Sequence, residues 1–85
     1  MNRDDAEYEP KYQPTDHMLA LIHRNFVYHS PKDDQPDRFI LLRELAKEMA
    51  LAILENTPPC REQSVAITNL EQVVFWANAA IARNE

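Results

Sequence analysis

Glycine is absent from all 85 residues of the chain. Phosphate cradles of the P-loop and dinucleotide type need backbone without a Cβ, so neither fingerprint can occur. Two-residue hairpins of type I′ or II′ lose their preferred residue as well, which argues against a meander of strands. The chain has 45 % hydrophobic residues and six prolines. That balance favours an all-α fold of helices joined by proline-containing connections, in one domain.

Nine basic against fourteen acidic residues leave a formal charge of −5. Duplex DNA binding is dominated by phosphate neutralisation, so broad affinity for it is not expected. Cys60 is the lone cysteine, which excludes a disulfide within the chain and fits a reducing compartment. No basic-then-apolar signal segment opens the sequence. Apolar runs are interrupted by charges before the roughly 20 residues of a membrane span. These features suggest a soluble intracellular protein. A domain of this size buries only about 60–65 % of its unfolded surface, so association with further chains is expected to add stability.

Residues 1–14 read as a flexible arm: Asp4, Asp5 and Glu7 are charged, Pro10 and Pro14 interrupt, and Tyr8 and Tyr12 are the large apolar groups. Residues 15–85 form the helical domain. Thr15 or Asp16 caps a first helix carrying Met18, Leu19, Ile22 and Phe26 at helical spacing. It ends within the run Tyr28 to Pro36, since Pro31 disfavours the α region at Ser30. Asp34 or Gln35 with Pro36 starts a second helix that runs to about Asn56. On it Phe39, Leu42, Ala46, Met49 and Ile53 form one seam, and Leu41, Leu45, Leu51, Ala52 and Leu54 widen the apolar face beyond what one partner helix covers. Thr57 as cap and Pro58 at the first helical position lead into a third helix that reaches about Arg83. Ala66, Leu70, Val73, Ala77 and Ala80 form its main stripe, flanked by Ile67, Val74, Trp76 and Ile81. The expected architecture is a short N-terminal helix plus a long αα-hairpin, assembled as a helical homo-oligomer.

Candidates for chemistry are few. Cys60 and three histidines are the nucleophile and base candidates, but Cys60 stands in a proline turn and the histidines are six residues apart. His17 and His23 diverge in azimuth on a helix, so no metal site is expected. Asp33-Asp34 and Glu44-Glu48 read as solvated charge. The richest polar segment is Phe26-Val27-Tyr28-His29-Ser30-Pro31-Lys32, which offers aromatic planes for stacking and an ammonium for phosphate. From spacing alone the plainer account is favoured: Phe26 in a core, Tyr28 at a helix end, Lys32 in solvent. A second cluster, Arg61, Gln63, Ser64 and Thr68, opens the third helix, where N–H groups and an arginine suit an anion.

Several of these pieces occur together in a known family. Phe26 to Lys32, Gln35-Pro36-Asp37-Arg38-Phe39, Arg61-Glu62-Gln63-Ser64, Leu70-Glu71 and Trp76-Ala77-Asn78-Ala79-Ala80-Ile81-Ala82 resemble the small phage proteins that act as anti-CBASS cyclic-nucleotide sponges. The likeness spans most of residues 17–83. It implies a helical homohexamer in the host bacterial cytoplasm that sequesters cyclic dinucleotides and cyclic trinucleotides without cleaving them, in two kinds of pocket built between chains. Lys32 matches the family's phosphate-contacting lysine. His17 falls near the position of an aromatic residue that stacks on the bases in relatives, with Tyr12 or Tyr28 as substitutes. Arg61 resembles an arginine of the trinucleotide pocket. No cofactor is implied.

Two other classes compete with a sponge. An acidic helical oligomer could block a host protein through Asp33, Asp34, Asp37 and Glu44. A hydrolase of the messenger would need a base or a metal that the sequence does not supply.

Overall fold

The computed structural model describes residues 9–85. Tyr8 and the Asp4 to Glu7 acidic stretch of the expected arm lie outside the described residues; residues 9–14 are exposed and carry no helix. Three helices follow: α1 (Asp16–Phe26), α2 (Gln35–Asn56) and α3 (Arg61–Asn84). No strand occurs among the described residues.

Each boundary has a local cause. Thr15 is extended, and its Oγ1 accepts from Met18 N–H at 3.1 Å, satisfying one of the orphan donors that open α1. The expected end of this helix within Tyr28 to Pro36 is too late: α1 stops at Phe26, with Val27 extended. His29 folds back, and its Nε2 donates to the Arg24 carbonyl at 2.8 Å, which gives a carbonyl near the helix end a partner. Asp34 precedes α2 without a side-chain cap; its carboxylate instead accepts from Arg38 one turn on at 3.0 Å. Pro36 occupies the opening turn, where a missing N–H is harmless.

The hairpin turn corrects one expectation. Thr57 does not cap α3 and Pro58 is not helical, because Pro59 steers Pro58 away from the α region just as Pro58 does Thr57. The helix begins three residues later, with extended Cys60 as its cap and the Cys60 Sγ accepting from Gln63 N–H at 3.4 Å. Thr57 closes α2 by donating from Oγ1 to the Ile53 carbonyl at 2.6 Å. Gln63 then staples the turn, its Nε2 donating to Thr57 Oγ1 at 3.0 Å and to the Thr57 carbonyl at 3.1 Å.

α2 and α3 pack antiparallel along residues that recur every 3.6 positions. On α2 these are Phe39, Leu42, Ala46, Ala50 and Ile53; on α3 they are Ile67, Leu70, Val74, Ala77, Asn78 and Ile81, all half-buried. The expected seams stepped by seven residues and so drift about 20° per heptad on a straight helix. Met49 and Val73 consequently turn outward, 55 % and 60 % exposed. The second α2 stripe is open as expected, with Leu41, Leu45, Leu51 and Leu54 each about half exposed.

No hydrophobic residue among those described is fully buried. The accessible surface is 7403 Å², against about 5,200 Å² for a compact monomer of this mass. The Cα radius of gyration is 18.9 Å, where about 12 Å suits a compact chain of this length. α1 stands off the hairpin and is tied to it by Arg24 Nη1 donating to Asn84 Oδ1 at 3.2 Å. By length and composition α3 is apolar enough to cross a membrane, at 24 residues and a mean hydropathy of 1.2 over its most apolar window. That departs from the expectation that no run is long enough. Here its Leu70 and Val74 side lies against α2, and Glu71 interrupts it.

Candidate functional site

The connection between α1 and α2 carries three of the expected ligand-binding residues, Tyr28, Pro31 and Lys32, and Phe26 ends α1 just before it. Phe26 at the end of α1 and Tyr28 in the connection are each 82 % exposed, so the core role open to Phe26 is not taken. Pro31 and Lys32 follow and are exposed. Tyr28 and His29 form one wall of an open cleft of about 460 Å³, whose other wall comes from Phe39 and Arg43 of α2 and Asn78 and Arg83 of α3. Aromatic planes, an amide and two guanidinium groups therefore share one hollow, a combination suited to bases and phosphates.

The backbone of Lys32 is held on both sides. Its N–H donates to Gln35 Oε1 at 3.2 Å, and its carbonyl accepts from Gln35 N–H at 2.9 Å. Between them Asp33 has φ 52°, the left-handed region that glycine usually fills. With no glycine in the chain, aspartate takes that place, as its short polar side chain permits. Gln35 is 4 % exposed, the one buried residue among those described. Its Nε2 donates to Glu85 Oε1 at 3.3 Å, and Glu85 clamps Arg38. The Arg38 guanidinium, then the Gln35 amide, holds the Glu85 carboxyl down at about 2. Glu85, then Asp34, holds the Arg38 guanidinium above its ordinary value.

The other expected residues lie elsewhere. His17 is exposed on the first turn of α1. Arg61 and Thr68 are exposed and seven residues apart on α3, hence on one face about two turns apart. They stand at the hairpin-turn end, whereas Lys32 is tied through Gln35 to the far end of α3. The 24 residues of α3 span about 36 Å. One chain thus keeps Lys32 and Arg61 in two separate places.

Sequence reasoning missed Arg43, Asn78 and Arg83 as cleft residues. Asn78 carried a signal, being a polar amide inside the apolar Trp76 to Ala82 run; its Oδ1 is buried without a partner. Arg43 and Arg83 lie on helices with no sequence signal that sets them apart from the other cations. Cys60 is exposed at the opposite end, and no three His, Cys, Asp or Glu side chains converge to hold a metal among the described residues.

The family model described as Acb2/Tad1, hairpin domain, matches residues 18–82. The chain matches no curated protein and no solved structure.

Proposed function

Because the chain belongs to the Acb2/Tad1 hairpin family, the anti-CBASS sponge family, we propose that it sequesters cyclic dinucleotides, and in a second pocket cyclic trinucleotides, in the host cytoplasm without cleaving them. The observation that carries this reading is the Lys32 connection: an exposed lysine on a braced backbone, four residues after exposed Tyr28 and six after exposed Phe26 in the chain. Lys32 supplies the phosphate contact, with Pro31 setting the approach. Tyr28, Phe26 or His17 supplies the stacking plane.

Open apolar grooves support the same reading. Leu45, Met49 and Val73 flank an apolar groove on one side of the hairpin, and Phe75 borders another on the other side. A second copy of this chain is the natural cover for both. A two-fold pair would present two copies of Lys32 to the two phosphates of a cyclic dinucleotide, and a higher symmetry several copies of Arg61 and Thr68 to a trinucleotide. This is how a chain of charge −5 holds a polyanion: the pocket concentrates the few cations that converge on it. The homohexamer is the assembly that the family resemblance implies.

Calorimetry of ligand-free protein against cyclic di- and trinucleotides tests the reading, with chromatography of the recovered ligand. Micromolar or tighter binding and intact ligand are expected. No heat with any of them, or linear product in the recovered sample, contradicts it. The host-blocking alternative would use the face of Asp33, Asp34, Asp37 and Glu44, of which Asp34 already pairs with Arg38.

A further inference from the structure

Gln35 presents an unusual economy. Burying an amide is costly unless both ends are hydrogen-bonded, and this chain buries an amide where it buries no hydrophobic residue among those described. Both ends are satisfied, by two groups that are otherwise unrelated. Oε1 accepts from Lys32 N–H at 3.2 Å, and Nε2 donates to Glu85 Oε1 at 3.3 Å, fifty positions away. The reciprocal bond from Gln35 N–H to the Lys32 carbonyl, at 2.9 Å, closes a ring around the left-handed Asp33.

We infer that Gln35 is the positioning residue of Lys32, and that Glu85 completes it by holding the Gln35 amide, so that ligand affinity at the Lys32 connection is coupled to the C-terminal end of α3. The inference deepens the sponge reading and rests on it. A lysine side chain is long and flexible, so its reach towards a phosphate is fixed chiefly by where its backbone sits. Gln35 fixes that backbone. Glu85 keeps the amide from turning over, because a flipped Gln35 would aim its NH₂ at the Lys32 N–H and its carbonyl at a carboxylate. Arg38 in turn holds Glu85 with both terminal nitrogens.

The test uses the full chain and four variants: Glu85→Ala, Gln35→Ala, Gln35→Glu, and Gln35→Glu combined with Glu85→Gln. Glu85→Ala removes an exposed side chain and leaves the helix packing in place, so it reports even if Gln35→Ala fails to fold. Gln35→Glu keeps an acceptor for Lys32 N–H but sets two carboxylates face to face. The double variant restores a donor opposite an acceptor at position 35, while the same amide nitrogen meets Arg38 Nη2, which shares Glu85 Oε1 with Gln35 in the parent. Two quantities are read: the amide shift and hydrogen exchange of Lys32 without ligand, and the affinity for each member of a panel of cyclic di- and trinucleotides. The single variants are expected to lose Lys32 amide protection. Affinity should fall roughly tenfold, as it does when the competent conformation drops to about a tenth of the population. The oligomer mass stays unchanged, and the double variant recovers part of the lost affinity and not all of it, because Arg38 loses one of its two acceptors at position 85. Unchanged Lys32 amide behaviour in Glu85→Ala, or unchanged affinity in the single variants of a parent that binds, overturns the inference. A parent that binds no cyclic nucleotide overturns the sponge reading instead, and the amide measurement keeps the two failures apart.

Discussion

Arg38 on the opening turns of α2 and Glu85 at the end of α3 form a two-pronged pair, with Nη1 donating to Oε2 at 2.7 Å and Nη2 to Oε1. A guanidinium and a carboxylate meet in this fork with matched geometry, which makes the pair directional as well as attractive. It closes the open end of the hairpin, while Gln63 and Thr57 close the turn end. The Lys32 connection is anchored to the first of these closures.

The pair should leave a pH signature. The Glu85 carboxyl sits at about 2 against an ordinary 4.5. A carboxyl lowered on folding adds stability that is complete above its unfolded value and lost as pH falls through its folded value. Melting of the parent and Glu85→Gln, at one protein concentration, should differ by a constant amount above pH 5. The difference should shrink steadily between about 4.5 and 2. A difference independent of pH would show that the pair contributes nothing through charge.

Lys32→Ala should weaken cyclic-dinucleotide binding by about 1.5–3 kcal/mol per copy, the range for hydrogen bonds to charged groups. Its side chain is exposed, so sedimentation should show the same assembly. Calorimetry and sedimentation together check this; loss of the oligomer would assign Lys32 to structure.

Leu70 borders both grooves of the hairpin. Leu70→Asp should cost more than about 2 kcal/mol, since truncation at a packed leucine alone reaches that range and an unpaired carboxylate adds its desolvation. Circular dichroism melting should show early unfolding, and size-exclusion chromatography loss of the assembly. A folded, assembled variant would mean that this face of α3 is not the packing face.

Asp33 tests the turn that glycine does not fill. Asp33→Val should destabilise by about 1–2 kcal/mol, the penalty for a side chain held in the left-handed region. Asp33→Gly should be tolerated. Thermal melts of the two variants decide it, and equal melting points would show that the turn relaxes to negative φ without cost.

Much of the architecture was legible because its signals are local. The missing glycine argued against hairpins of strands, and the Thr15-Asp16 pair and Pro36 placed two helix starts. The α2 and α3 stripes were read to within one position, and the miss at Val73 and Met49 is the difference between a 3.5 and a 3.6 repeat. The Pro58-Pro59 pair was read as a start where it acts as a spacer, because each proline restricts the residue before it. The Lys32 connection stood out by composition. Its brace did not: Gln35 and Glu85 are fifty residues apart, and neither type is a common partner for a lysine backbone. Arg43, Asn78 and Arg83 escaped for a similar reason, since only the crossing of two helices and a connection brings them to one cleft.

Native mass spectrometry of the protein with an equimolar mixture of cyclic di- and trinucleotides is the most direct test of the sponge reading. The expected spectrum is a hexamer carrying discrete added masses of one or both ligand classes, each released intact on denaturation. An unliganded monomer or dimer in the presence of the mixture would contradict it.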